Sequence, residues 1–411
     1  MSKRIISILT VGLLLVAMLT GTVMAGKVKL RFLQPGGNLY KQSVEFAKEY
    51  MKLHPNVEIE VIEVGWSDAY SKIMTMVAAG NAPDIMYIGT RWIPALAQMN
   101  AIQPLDKFIS EEKKDLYFDS LLKGTYYQGK LYALPRSFST KALIYRTDLI
   151  PEPPETWDEL VEVAKRVQKE HEGIYGFGIA GAKHVSTTTQ FFNYVYQNGG
   201  SIFDSEGNIL LDSPQSVKAL QFYVDLYRKH KVVPNPIEYN REELPNLFKT
   251  GKIAMFVCGP WAKPMIGLDP DNEKVPYASA PLPRGRYMAT TLVSDSLVLS
   301  SQSEHIDEAW KYLNWITSLE NQKKHDLING MAPAMEKELE DPAFTEDPFF
   351  KTYVDMIPKG QPQPLPLAWE PFQDVITGAI QKALLGMATP EEALKEAVTR
   401  IEAENLAPVK H

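Results

Sequence analysis

Residues 27–33 (KVKLRFL) alternate apolar and polar side chains, and residues 57–64 (VEIEVIEV) do so again. That period of two marks strands with one buried face. Residues 39–53 between them carry apolar positions at helical spacing, so strand, helix and strand follow one another as a βαβ unit. Residues 84–88 (DIMYI) predict a third strand, after a helix over residues 68–79. The expected fold class is therefore α/β, with a parallel sheet covered by helices.

Further along, helix starts are written in the capping chemistry. In PPETWDELVEVAKRV, Thr156 and Glu159 form a capping box, and Leu160, Val163, Ala164 and Val167 make one apolar face. Ser213-Pro214 opens a helix through Tyr227, and Thr389-Pro390 with Glu392 opens one through Ile401. Pro83, Pro94, Pro104 and Pro135 separate short periodic segments, and no internal repeat or low-complexity tract interrupts them.

The first 25 residues follow another pattern. Lys3 and Arg4 precede an apolar run over residues 5–19, and small residues lead to Val23-Met24-Ala25. This layout is that of a cleavable secretory signal peptide, residues 1–25. The apolar run is shorter than the roughly 20 residues of a spanning helix, which separates it from a membrane anchor. A periplasmic location is expected. The one cysteine, Cys258, lies far from the signal, so neither an internal disulfide nor a lipid-bearing cysteine is available. Set in the apolar run of residues 253–258, it reads as a small buried side chain. Removing Lys3 and Arg4 takes the basic residues from 43 to 41 against 50 acidic ones, a net charge of about −9. Such a balance favours solubility and disfavours a nucleic-acid partner. A mature chain of roughly 386 residues exceeds one ordinary core, so two lobes are expected.

Several catalytic signatures fail on context. Gly176-Phe-Gly178-Ile-Ala-Gly181 spells GxGxxG, but a helix precedes it and the segment itself reads as a strand, the reverse of a dinucleotide site. Gly251-Lys252 lacks both the upstream glycine and the hydroxyl residue of a phosphate loop. The histidines at 54, 171, 184, 230, 305, 325 and 411 show no metal-ligand spacing and are expected at the surface, so neither metal nor cofactor is expected. No GxSxG elbow occurs, and among 50 acidic residues nothing singles out a catalytic pair.

What remains is tryptophan beside chain breakers. Trp66 and Trp92 follow predicted strands, Trp261 follows Gly259-Pro260, and Trp369 follows a Pro-rich stretch, all at expected loop positions. A pyranose has a flat C–H face that stacks on indole and a rim of hydroxyls that needs polar partners. Trp157 and Trp310, on amphipathic segments, read instead as core. Asp295, in the VSDS turn, suits either hydroxyl recognition or turn formation.

Ordered blocks along the chain resemble the family-1 extracellular solute-binding proteins, the maltose-binding protein group, from about residue 27 to 401. The blocks are residues 79–106 (AGNAPDIMYIGTRWIPALAQMNAIQPLD), 132–149 (YALPRSFSTKALIYRTDL), 153–160 (PPETWDEL), 248–261 (FKTGKIAMFVCGPW), 309–315 (AWKYLNW), the turn at 330–333 and 371–401. The resemblance implies a two-lobed periplasmic-binding-protein fold of type II, with ligand held between lobes joined by three crossing segments. Those crossings would fall near residues 137–142, 286–292 and 331–336. One lobe would combine 27–138 with 290–332, the other 140–289 with 334–411. Trp261, in the turn begun by Gly259, and Trp369 correspond to rings that stack on sugar in that group. Gln34, Asn38, Trp66, Thr90 and Arg91 correspond to its cleft-facing loops. Ser139 and the run holding Thr189 and Gln190 stand where maltose-binding protein has carboxylate and tyrosine ligands, a departure that argues against maltose itself.

The implied function is capture of a carbohydrate outside the cytoplasm and delivery to the membrane permease of an ABC importer, by a monomer without enzymatic activity. Two alternatives stay open. The same fold would serve a polyol or phosphorylated solute, with Arg91 and the Gly36-Gly37 turn before a helix N-terminus holding an anion. A secreted glycoside hydrolase would share the signal, the tryptophans and the carboxylates.

Overall fold

The computed structural model describes residues 27–267 and 275–408; the expected signal peptide lies outside them. In the first lobe, β1 (Val28–Pro35) and β2 (Val57–Val64) pair in parallel, Val28 against Val57 through to Pro35 against Val64. The alternation of β2 is realised, with Val57 and Ile59 buried and Glu58 and Glu60 exposed. Helix α1 (Asn38–Leu53) returns between these strands and buries Phe46, Ala47 and Tyr50. After α2 (Trp66–Ala78), β3 (Ile85–Gly89) joins parallel to β1. The remaining strands arrive from distant sequence: β8 (Thr290–Leu299) runs antiparallel both to β3 and to β4 (Leu134–Ser139). The expected parallel pairing is thus realised among β1, β2 and β3, while β8 opposes its neighbours β3 and β4. β8 enters from the other lobe, with no crossover helix to force a parallel direction.

The second sheet is antiparallel, with β5 (Ala142–Arg146) between β6 (Met255–Cys258) and β7 (Tyr277–Ala280). The strand expected around residues 175–181 makes only single parallel bridges, Tyr175 to Ile253 and Gly178 to Phe256. Its first glycine has a packing reason: a Cβ on Gly176 would lie 2.3 Å from Ala164 Cα in α3 (Trp157–Glu170). Around this sheet stand α3, α4 (Val185–Gln197), α5 (Pro214–Arg228), α6 (Leu244–Lys249), α10 (Trp369–Leu385) and α11 (Pro390–Ala403). Thr156 accepts from Glu159 N, as expected, but the Glu159 carboxylate takes the Glu155 N–H instead of closing the box. Thr389 and Glu392 form the complete reciprocal box. Trp157 stacks on Phe222 at 4.3 Å and donates to Gln197, and Trp310 stacks on Phe108, both in core surroundings. Cys258 is fully buried, and burial pushes its thiol up to about 12.

The lobes are joined by strand-like segments. Lys141 N donates to Thr290 Oγ1 at 2.8 Å where two of them pass side by side. Beyond α7 (Ile306–Ile316) and α8 (Leu319–Asn329), residues 331–336 still lie on the first lobe, with Ala332 N bonded to Phe138 O and Glu336 N to Leu116 O. Contact with the second sheet begins only at α9 (Pro348–Asp355), where Ser279 Oγ donates to Phe349 O. The chain then rejoins β8 through β9 (Gly360–Pro362). One histidine expectation is corrected here: His325 is 2 % exposed, bonded through Nε2 to Ser137 and through Nδ1 to Gln42. Among the described residues no helix is long and apolar enough to cross a membrane.

Candidate ligand-binding cleft

A cleft of about 730 Å3 lies between the lobes. Its first wall is built at the ends of the first-lobe strands: Asn38 opens α1, Trp66 opens α2, Arg91 follows β3 and Asp295 sits in β8. His184, Thr189, Arg241, Glu242 and Trp261 form the facing wall, and Ser137 and Ser139 of β4 line its hinge side. Strand ends at a sheet edge leave backbone and side chains free to face a ligand, which explains this placement.

Each wall carries an arginine held between a carboxylate and an indole. Arg91 Nη1 is 3.3 Å from Asp295 Oδ1, and its guanidinium lies 5.4 Å from the Trp66 ring centre and 5.3 Å from that of Trp92. Across the cleft, Arg241 Nη2 is 3.1 Å from Glu242 Oε1, Nη1 donates to Thr189 Oγ1 at 3.1 Å, and the guanidinium is 5.7 Å from the Trp261 ring centre. Burial acts to raise the Glu242 carboxyl, but Arg241, with His184 and Ser186 close by, outweighs it and holds it well below the usual range. For Asp295 burial prevails over Arg91, so its carboxyl lies above the usual range. Behind Ser139, Lys141 is fully enclosed and donates to Ser139 Oγ; burial drives its amine well below the ordinary lysine value.

Of the residues expected at the site, Trp261, Trp66, Arg91, Asn38, Asp295, Ser139 and Thr189 converge on this cleft. Gln34, Thr90, Gln190, Gly259 and Trp369 are not on its walls. Gln34 accepts from Ser43 in α1, and Thr90 bonds Ser296 and Ser294 in β8. The Gln190 side-chain oxygen Oε1 accepts from the Ala180 N–H and the Tyr223 hydroxyl. Gly259 makes room for its neighbour, because a Cβ there would lie 2.4 Å from Trp261 Nε1. Trp66 and Trp369 are the first residues of helices, not loop residues, and Trp369 is 1 % exposed with Arg91 lying 5.4 Å from its ring centre. Arg241, Glu242 and His184 were missed by the sequence reading. The signal available was a charged run, residues 240–243 (NREE), in the loop before an apolar helix.

The resulting surface has flat aromatic faces, guanidinium donors and carboxylate acceptors, with each positive charge matched on its own wall. It suits an uncharged molecule with adjacent hydroxyls, which an arginine and a carboxylate engage together. Anion binding at the Gly36-Gly37 turn meets a competitor already present, since Gly37 N faces Glu63 Oε1 at 3.4 Å. Among the described residues no group of histidine, cysteine and carboxylate side chains is arranged to hold a metal ion.

Residues 36–323 match the family model described as bacterial extracellular solute-binding protein. A binding protein of Brucella abortus is 27 % identical over 400 residues, spanning 96 % of this chain and 97 % of its own. The maltotriose-binding protein of Pyrococcus abyssi is 27 % identical over 347 residues, 82 % of this chain and 72 % of the relative. In three dimensions the chain is similar to maltose-bound MalE3 of T. maritima, with a TM-score of 0.84 and 27 % identity over 92 % of this chain and 100 % of that one. It is likewise similar to an ABC transporter solute-binding protein of Thermotoga lettingae bound with alpha-D-tagatose, with a TM-score of 0.85 and 26 % identity over 92 % and 99 %.

Proposed function

The chain belongs to the bacterial extracellular solute-binding protein family, and from that premise we propose that it captures a neutral carbohydrate in the cleft and presents it to the membrane permease of an ABC importer. The observation that carries this reading is the pair of facing walls, each with an indole, an arginine and a carboxylate. The relatives bound to maltose, named for maltotriose or holding tagatose agree in ligand class. Trp261 stacks on the C–H face of a sugar ring, and the Arg241–Glu242 and Arg91–Asp295 pairs donate to and accept from its hydroxyls. A ligand that touches both walls favours the arrangement in which the lobes approach, so occupancy is read by the permease as shape. The chain acts as a monomer, carries its ligand through the periplasm and performs no chemical step.

Compensation of both cleft arginines favours this reading over a phosphorylated solute, for which an unpaired cation is the usual anchor. A thermal-shift screen of purified protein against mono-, di- and oligosaccharides, polyols and glycerol phosphates tests it, with each mixture checked for products by chromatography. Binding of one neutral class raises Tm with concentration, by mass action. A rise with phosphorylated solutes alone, or conversion of any sugar, would overturn the proposal in favour of the anion-binding or hydrolase alternative.

A further inference from the structure

Trp369 was expected to face the ligand, yet the structure gives its ring another partner. It opens α10, a second-lobe helix packed on α4, α5 and α11. Its indole meets the guanidinium of Arg91, a first-lobe residue, at 5.4 Å. The next residue, Glu370, accepts a hydrogen bond through Oε1 from Trp92 Nε1 of the first lobe at 3.0 Å, and its Oε2 is held from behind by Gln373 Nε2 at 2.9 Å. Trp92 is 2 % exposed, stacked on Trp66 at 5.3 Å and touching Tyr70 at the same distance. The N-terminus of α10 is thus seated in a first-lobe socket of Trp66, Tyr70, Arg91 and Trp92. Neither Trp92 nor Glu370 lies on the cleft wall.

We propose that Trp369 and Glu370 form an inter-lobe latch: docked on Arg91 and Trp92, they favour the approached lobes without any ligand and so help set the affinity of the cleft. The latch builds on the lobe closure proposed above but not on the identity of the ligand. A part-buried charge-assisted hydrogen bond and a buried cation–π contact contribute only while the lobes touch, so they bias the equilibrium between open and closed forms. The seat is incomplete, because Trp369 Nε1 is buried without a hydrogen-bond partner. That cost keeps the docking reversible. Arg91 joins latch to ligand: the guanidinium that covers Trp369 also holds Asp295 at the cleft surface. Trp92 and Glu370 are accordingly positioning residues, acting on the ligand through the lobes.

The test reads the lobes directly. Spin labels at Leu53→Cys on the first lobe and Met387→Cys on the second occupy side chains 64 % and 72 % exposed, while the native Cys258 is fully buried and escapes labelling. Pulsed-EPR distances in ligand-free protein should show a separate closed population. Trp92→Phe, which keeps a ring in the socket, and Glu370→Leu should each deplete it by about tenfold, and the double variant no further, because both changes break one contact. A wild type without a closed population, an unchanged distribution in the variants, or additive losses would each overturn the latch. A melting temperature near that of the wild type verifies that Trp92→Phe is folded. Because no ligand is present, failure here is separate from failure of the carbohydrate assignment.

Discussion

At the level of single side chains, Trp261 and Gly330 bring the proposed ligand wall and a contact between the lobes to one place. Gly330 ends α8 with φ 64°, the left-handed conformation that glycine adopts without strain. A Cβ there would stand 3.1 Å from Pro264 Cδ and 3.3 Å from Trp261 Cα, so the first lobe touches the second beside Trp261. Gly330→Ala should therefore lower stability by about 1 kcal/mol and also weaken ligand binding, read by chemical denaturation and calorimetry on one preparation. Lost stability with unchanged affinity would show that the contact plays no part in closure. Residue chemistry was legible where it is local. Trp261 beside Gly259-Pro260 and Cys258 in its apolar run sit much as their neighbours imply, whereas Asp295, expected in a turn, lies within β8, paired with Gly89 and Ser137. Trp369 was not legible, because its ring meets Arg91 and its neighbour Glu370 meets Trp92, from a segment 278 residues away. Arg241 and Glu242 escaped for the same reason: a charged loop looks solvated until Thr189 and Trp261 are brought beside it.

Among elements, the segment leaving α8 is held by an unusual carboxyl pair. Asp326 Oδ2 accepts from Ala334 N and from Gln322 Nε2, and Glu338 Oε1 accepts from Met335 N. Both carboxyl groups are fully buried, and Oδ1 of one and Oε2 of the other have no donor. Burial and their mutual proximity raise Asp326 well above the usual carboxylate range, and burial raises Glu338 to about 7, while Arg136 nearby lowers both. A group that binds its proton more tightly when folded stabilises the fold most below its unfolded pKa, and that contribution is lost as pH rises towards the folded value. For Glu338 the window runs from 4.5 to about 7. Glu338→Gln, which mimics the protonated form, should match the wild type near the acid end and gain Tm relative to it as pH approaches neutrality. A difference in Tm independent of pH would contradict this assignment. A simpler effect is expected at α11, where Thr389→Ala removes one half of a complete capping box and should cost about 1 kcal/mol in chemical denaturation.

The elements themselves were legible to different degrees. β2 was readable in its first half, where Val57 and Ile59 are buried and Glu58 and Glu60 exposed, whereas Val64 is buried on the face of those glutamates. The second sheet was less so: β6 lies within a continuous apolar run, all four of its residues buried, and such a run carries no period to announce direction or partner. Helix starts at Thr156, Ser213 and Thr389 were legible because caps are local chemistry. Those at Trp66 and Trp369 were not, since Gly65 and Ala368 precede them without a capping side chain.

For the molecule as a whole, the proposed function requires the two lobe sheets, the segments that join them and the charge-compensated cleft to act together, so that ligand and lobe contacts add. The first lobe follows from a βαβ pattern at the start of the chain, whereas its β8 and β4 strands belong to it only through pairings made across more than a hundred residues. The most direct test is a tryptophan-fluorescence titration of the wild type and of Trp261→Ala with a neutral saccharide found in the thermal-shift screen, at low and high salt. Saturable binding by the wild type, nearly insensitive to salt and weakened by about tenfold or more in the variant, is the result predicted for a sugar stacked between the lobes. Equal affinity in the two proteins, or binding that collapses as salt rises, would contradict it.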